Sequence, residues 1–326
     1  MPKSTQRARA NMGLKTNPGK KQVLVVHYAS PSGQLSNVIQ NLIAPLVEAG
    51  HIELQQLVLR PRTPYPFPWP VLRFFDTFPE AIYLEAPALE PLGLGANRRF
   101  DLVILGYQVW FLSPSLPTTA FLKSPEARAW LKDTPVVTVI SCRDMWLMAQ
   151  ERVKKLLTDC GARLVGNVVL VDEAGSIGSF LATPLWMLTG KQGPLLGGLI
   201  PRAGIKPEQI RDSRRFGARM AQVLDQDQPL DTELLRGLGA VKVNTRLIAT
   251  EKAARRSFLA WGALLRALGR QGAWARQPVV MIYIVFLIVL LITLLPISAL
   301  LKTLAAPLLR KRIAAQQNYF SAPSGE

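Results

Sequence analysis

Cysteine and histidine are scarce in this sequence: 326 residues hold two cysteines, Cys142 and Cys160, and two histidines, His27 and His51. Two distant cysteines make neither a disulfide framework nor a C-x-x-C redox pair. No metal-ligand spacing occurs, so no metal is expected. The chain also lacks a G-x-x-x-x-G-K-[ST] loop and a G-x-G-x-x-G fingerprint, which removes sequence support for ATP or GTP and for the common dinucleotides.

Acidic residues are missing from the two ends. Residues 1–21 carry six Lys/Arg and no acid, and residues 236–326 carry 13 Lys/Arg and two acids. Residues 22–235 carry 20 charges of each sign, so the net +17 lies wholly outside the central unit. A nucleic-acid-binding domain would place that excess on its folded unit, often beside stacking aromatics, and nucleic acid is not expected as a partner.

Charge of either sign is absent from 279–301, a run of 23 residues. As a helix it would be roughly 35 Å long, enough for a hydrocarbon layer of about 30 Å. The expectation is a transmembrane helix over 278–302, with Pro296 near its end. Upstream, 236–277 mixes Phe258, Trp261 and Leu265 with Arg255, Arg256 and Arg266, a basic amphipathic segment suited to a membrane interface; packing against the central unit is the alternative. Residues 303–326 form a basic polar tail. The disordered basic stretch 1–21 has no apolar core of a signal peptide. A membrane-anchored protein follows, its central unit on the cytoplasmic face and membrane lipids among its partners.

Within 22–235 the apolar pattern turns specific. Val23, Leu24, Val25 and Val26 make a continuous run of the kind found in a strand buried on both faces. The loop that follows holds Ser30, Ser32 and Gly33, and 34–47 then places Leu35, Val38, Ile39, Leu42, Ile43 and Leu46 at helical spacing. A strand, a short hydroxyl- and glycine-bearing loop and a helix form an anion cradle, because free N–H groups and the helix dipole converge there. An ordinary turn is the plain alternative.

Further strands are predicted at 51–59, 102–106, 136–141 and 163–171, and helices at 145–160 and 207–225. Five such strands imply an α/β fold: an open five-stranded parallel sheet with helices on both faces. Ligands of such sheets bind beyond the carboxyl ends of the strands. The loops after the first, third and fourth strands hold Ser30–Leu35, then Gln108, Val109, Trp110, Phe111 and Leu112, then Ser141, Cys142, Arg143 and Asp144. Between the second and third strands, 60–80 is rich in proline and aromatic residues. It reads either as a lid over an apolar site or as a substitute for a crossover helix.

These loops resemble those of the flavodoxin-like family over residues 22–225. Ser30-x-Ser32-Gly33-Gln34 is similar to the family's T/S-x-T/S-G-x-T phosphate loop, and 106–115 to its G-T-P-V-[YW]-[WF]-G-S-P stretch under the flavin ring. The loop from Ser141 to Met145 lies where the family covers the ring's other side. The chain departs from the pattern at Leu35, Tyr107, Gln108 and Leu112. The resemblance implies FMN as cofactor, with the phosphate on Ser30, Ser32, Gly33, Gln34 and Leu35. The ring would lie on Gln108, Val109, Trp110, Phe111 and Leu112, with Ser141, Cys142 and Asp144 opposite. Arg143 is the candidate catalytic cation, steadying negative charge on reduced flavin or substrate; an ion pair with Asp144 or Glu151 is its other reading.

Pro66-Phe67-Pro68-Trp69, Phe75-Asp76, Phe78-Pro79-Glu80, 141–146 and Leu188-Thr189-Gly190-Lys191 further resemble the flavodoxin-like proteins of dialkylresorcinol biosynthesis. That resemblance implies an oxidoreductase acting on a lipophilic or aromatic-lipid intermediate. NAD(P)H would be the electron donor, and ketosynthase or acyl-carrier proteins the partners. A flavodoxin-type electron-transfer module and a flavin-free biosynthetic scaffold are the alternatives.

Overall fold

The computed structural model describes residues 19–95, 97–172, 175–305 and 310–325. The basic segment 1–18 lies outside them. The alternation opens with β1 (Lys21–Tyr28), α1 (Gln34–Glu48) and β2 (Ile52–Leu59). Two short helices, α2 (Val71–Phe75) and α3 (Phe78–Ile82), occupy the insert before β3 (Leu102–Trp110), which turns back into the two-residue β4 (Ser113–Pro114). Then come α4 (Leu116–Leu122), α5 (Pro125–Leu131), β5 (Pro135–Cys142), α6 (Leu147–Asp159), β6 (Arg163–Val171) and α7 (Gly175–Thr189). Helices α8 (Pro207–Asp212) and α9 (Arg214–Asp225) replace the single helix expected over 207–225. The C-terminal extension holds α10 (Ile248–Ala267), α11 (Gln277–Ala305) and α12 (Arg310–Ser321).

The main strands lie in the order β2-β1-β3-β5-β6, all parallel, with β4 antiparallel on β3. Counting only the five main strands this is 2-1-3-4-5, the flavodoxin-like doubly wound order. The period of two divides β1 between two cores. Val23 and Val25 pack with Leu35, Ile39 and Leu42 of α1 and Phe216 and Met220 of α9. Leu24, Val26 and Tyr28 pack with Phe121, Trp130 and the α6 side chains. Helix α9 can lie close on α1 because residue 217 is glycine: a Cβ there would stand 1.8 Å from the Leu42 carbonyl oxygen.

A buried polar chain ties three of these strands together. Tyr107 donates its hydroxyl to Gln150 Oε1 (2.6 Å), Gln150 Nε2 donates to Thr138 Oγ1 (3.1 Å), and Thr138 donates to Asn167 Oδ1 (2.9 Å). The edge strand β6 is covered by the extension: Val169 N–H donates to Ala240 O (2.8 Å) and Asn167 N–H to Ser324 Oγ (2.7 Å). Such cover removes an exposed strand edge.

The expected transmembrane helix is overturned. Among the described residues, no helix is long and apolar enough to cross a membrane. The membrane-anchored localisation drawn from that helix falls with it. An uncharged run reports composition and not what the side chains touch, and the first turns of α11 touch protein. Val280 and Tyr283 are fully buried with Phe78, Ile82 and Leu265, and Phe75, Trp261 and Phe286 pack around them. Just before α11, Arg276 is also fully buried. It forms ion pairs with Asp76 (2.8 Å) and Glu80 (2.7 Å) and donates to the Asp76 carbonyl (2.9 Å). Gly272 N–H caps the other Asp76 oxygen at 2.6 Å.

The insert is therefore held from two sides. Its α3 end is clamped to the extension, and its proline-rich start lies on the carboxyl side of the sheet. Tyr65 and Trp69 stack at 5.4 Å, and both meet Trp110 of β3 edge-on, at 5.0 and 5.7 Å. Trp69 N–H donates to Met187 O of α7 (2.9 Å), and Phe67 meets Trp186 edge-on at 6.5 Å.

Candidate functional site

The β1–α1 loop is shaped by its own residues. Gly33 stands at the head of α1 with φ 69°, a left-handed conformation that glycine adopts without steric cost. Its N–H closes a turn onto Ser30 O (2.9 Å), and no side chain caps α1. The first-turn N–H groups of Gln34, Leu35 and Ser36 consequently face the loop without intrahelical acceptors. Ser30 Oγ and Ser32 Oγ lie 3.0 Å apart, and Gln108 Nε2 donates to Ser30 Oγ across 2.7 Å. Among the described residues, the buried Ser36 hydroxyl has no hydrogen-bond partner, nor does His27 Nδ1 at the end of β1. Burial pushes the His27 imidazole below its ordinary value, so it is neutral at neutral pH. This donor set suits a phosphate. Leu35 adds only its N–H, since its side chain is fully buried in the core.

At the end of β3 the chain reverses between Trp110 and Ser113, through Phe111 (φ 49°) and Leu112 (φ 58°). Two consecutive left-handed residues make the hairpin turn that usually takes Asn-Gly. Held by other residue types, such positions cost about 1–3 kcal/mol each and persist only where their surroundings fix them. Here Phe111 packs on Phe74, Phe78 and Phe258, and Leu112 is 5% exposed. The departure noted at Leu112 thus keeps the glycine-like backbone and stabilises it by packing. Val109 and Trp110 are half-buried, with Trp110 inside the aromatic cluster.

The β5–α6 loop brings Ser141, Cys142, Arg143 and Asp144 to the same side of the sheet. Ser141 and Cys142 are buried, and burial drives the Cys142 thiol well above its usual range, so it is no thiolate nucleophile. Arg143 is half-buried. Desolvation pulls its guanidinium down, and the charges of Asp144 and Asp172 work against that pull. Glu151, the other candidate partner, engages Lys154 (3.0 Å) and Tyr319 (2.6 Å). Asp144 accepts from Met145 N–H on one oxygen and from Asn244 Nδ2 on the other, both at 3.0 Å.

Three groups that the sequence analysis passed over stand beside these loops. Asp172, just past β6, accepts from Thr183 Oγ1 and Gly204 N–H, both at 2.9 Å, and pins the chain after α7. Asn244 holds Asp144. Glu251 of α10 is 1% exposed and accepts from Met148 N–H (2.9 Å) in the first turn of α6, where Leu147 N–H also acts on its carboxyl. Burial pushes its carboxyl up to about 8 against those two donors. Glu251 carried one signal, being one of only two acids among residues 236–326. No group of His, Cys, Asp and Glu suited to a metal occurs among the described residues. Two surface grooves, of about 730 Å³ beside α10 and about 340 Å³ along β2, lie away from these loops.

Parallel strands in the 2-1-3-4-5 order, with ligand-competent loops at their carboxyl ends, define a flavodoxin-like fold. No family model matches the chain, and no curated protein matches it. Some solved structures are similar to part of the chain at low identity. A flavoprotein from Lactobacillus acidophilus, solved in complex with FMN, is 14% identical over 46% of this chain and 93% of its own, with a TM-score of 0.35. An oxidoreductase from Corynebacterium diphtheriae is 11% identical over 64% of this chain and 98% of its own, with a TM-score of 0.33. A flavone reductase is 11% identical over 64% of this chain and 65% of its own, also at 0.33. Likeness at this level carries no inference about what this chain binds.

Proposed function

We propose that the protein is a flavin-dependent oxidoreductase that holds FMN across the carboxyl ends of β1, β3 and β5. The observation that carries this reading is the joining of two loops distant in sequence. Gln108 of β3 reaches Ser30 Oγ at 2.7 Å, beside a helix N-terminus that has no cap of its own. The N–H groups from Gln34 to Ser36, with the hydroxyls of Ser30, Ser32 and Ser36, would hold the phosphate. The 108–112 segment and the 141–144 loop would bracket the ring. FMN, when bound, supplies the hydride and electron chemistry, and the protein supplies position and field. Arg143 would set positive charge against an anionic ring or substrate enolate, with the charges of Asp144 and Asp172 favouring its cationic form.

The substrate class we propose is a lipophilic, aromatic-lipid intermediate of the dialkylresorcinol type. A nicotinamide would serve as electron donor, and acyl-carrier or ketosynthase proteins would deliver the intermediate. Tyr65, Trp69 and Trp110 support this class by placing an apolar, ring-rich wall next to the β3 turn. The same rings favour a second reading, an electron-transfer module with no small-molecule substrate, because they pack on one another.

Purified full-length protein should show flavin absorbance, or acquire it on addition of FMN, and should release FMN on denaturation. Protein that stays colourless with FMN added overturns the oxidoreductase reading and the electron-transfer reading together. Turnover of a ring ketone or quinone by the flavin-loaded protein would then decide between them.

A further inference from the structure

We propose that Asn244 and Glu251, both on the C-terminal extension, are positioning residues for the 141–146 loop, so that chain outside the α/β unit completes the ring side of the flavin site. The inference rests on the flavin reading and deepens it by naming what holds that side.

The 141–146 loop draws part of its support from outside itself. Met145 is left-handed (φ 54°), an unfavourable conformation for a side chain of its size. Trp146, at the head of α6, makes no side-chain cap, and the first turn of α6 contains no acid. Its hydrogen-bond partners, one donor and one acceptor, come from about a hundred residues downstream. Asn244 Nδ2 fixes Asp144 Oδ2 at 3.0 Å, while Met145 N–H fixes Oδ1 at the same distance. Glu251 Oε2 takes the Met148 N–H at 2.9 Å, buried from water. Removing Glu251 would leave first-turn donors without acceptors in a dry setting, a costly arrangement. Neither residue reaches the loop by chance of chain connection, because α10 is anchored separately: Phe258 packs on Phe78 and Phe111, and Tyr83 donates to Leu259 O (2.9 Å).

Glu251 also has an electrostatic consequence. Kept protonated at neutral pH, it accepts hydrogen bonds without cancelling the positive end of α6, which stays available to an anionic ring. The groups whose fields meet at Glu251 are Asp144 from the loop, Cys142 from β5 and Tyr107 from β3. Arg143 and Asp172 stand in the next layer, and on α10 itself Lys252 lies over the Phe320 ring and Arg255 acts on Arg152.

The test is titration of the full-length protein with FMN and, separately, with riboflavin, followed by quenching of flavin fluorescence. Asn244→Ala and Glu251→Ala should each weaken both flavins about tenfold, because the loss lies on the ring side. Glu251→Gln, which keeps an acceptor, should stay within about threefold of the unmodified protein. Ser32→Ala should weaken FMN alone. The potential of the bound flavin should fall more steeply above pH 8 in the unmodified protein than in Glu251→Gln. Should Glu251→Ala not fold, Asn244→Ala and the potential of Glu251→Gln still decide. Unmodified protein that binds FMN, with Asn244→Ala and Glu251→Ala binding equally well or losing FMN alone, overturns the inference and leaves the flavin reading standing. Unmodified protein that binds neither flavin overturns the flavin reading itself.

Discussion

The two ends of the candidate flavin site are built in opposite ways. The phosphate end is mostly local: Ser30, Ser32, Gly33 and Ser36 fall within seven residues, one left-handed glycine and one uncapped helix set the geometry, and Gln108 adds a single contact from β3. The ring end is assembled from a distance. Its loop depends on Asn244 and Glu251, its β3 turn on Phe74, Phe78 and Phe258, and its flank on a clamp between Arg276 and the insert. A local device survives changes elsewhere in the chain, whereas an assembled one fails wherever its supports fail. Substitutions far from the strands should therefore affect the ring end and spare the phosphate end.

The largest expected effect comes from the clamp. Arg276→Ala leaves Asp76 and Glu80 buried without their cation, and breaking a buried pair in this way costs about 3–5 kcal/mol. Burial already pushes the Asp76 carboxyl above its ordinary value, against the pull of Gly272 N–H and Arg276, so its charge is held by those contacts. We expect a large fall in the denaturation midpoint and weaker binding of FMN and riboflavin alike. Methionine at 276, judged with Asp76→Asn and Glu80→Gln in the same chain, should recover much of the stability. If Arg276→Ala melts like the unmodified protein, the extension is not held as described, and the contrast between the two ends loses its basis.

This contrast also explains what could be read in advance. The strands were legible because a strand buried on both faces is a nearly continuous apolar run, as in 23–26, 102–105 and 136–140, the last broken only by Thr138. Helix α1 was legible because its core face repeats at helical spacing. The phosphate loop was legible because its chemistry is contiguous. The ring end was only half legible: Gln108–Leu112 and Ser141–Asp144 could be named, but the residues that fix them share no local pattern with them. Asp76 and Glu80 were noticed as part of a motif, yet their partner lies two hundred residues away. The charge-free run 279–301 was misread for the same reason. Its first turns are apolar because Phe78 and Trp261 lie against them, and a hydropathy count cannot distinguish those neighbours from lipid. Helix 207–225 was drawn unbroken because Ser213, where α8 gives way to α9, is no obvious breaker.

A second effect, smaller and graded, should follow pH. Glu251 sits near pH 8 in the folded protein, against an ordinary value of 4.5. Between those values the folded state holds a proton that the unfolded state has released. Stability from this group is thus full below pH 4.5 and is lost as pH rises through about 8. The slope cannot exceed about 1.4 kcal/mol per pH unit for one proton. Chemical denaturation at pH 6, 7 and 8 should show a decline that Glu251→Gln removes. An equal decline in that variant would assign the slope to another group and leave Glu251 a simple cap.

The smallest effect tests whether the phosphate end is as local as its geometry implies. If backbone N–H groups carry the anion, the hydroxyl of Ser32 is one contribution among several. Ser32→Ala should then cost about 1 kcal/mol, roughly fivefold in FMN affinity, with riboflavin and the melting midpoint unchanged. Gly33→Val should do more at the same end, because a β-branched residue at φ 69° is strained by about 1–2 kcal/mol or more and must shift the N–H groups themselves. The ranking matters more than either value. Gly33→Val hurting FMN more than Ser32→Ala, with riboflavin spared by both, is the signature of a backbone cradle. The reverse order would mean that side-chain hydroxyls hold the phosphate, and that the Gln108 contact to Ser30 makes this end depend on β3 as well.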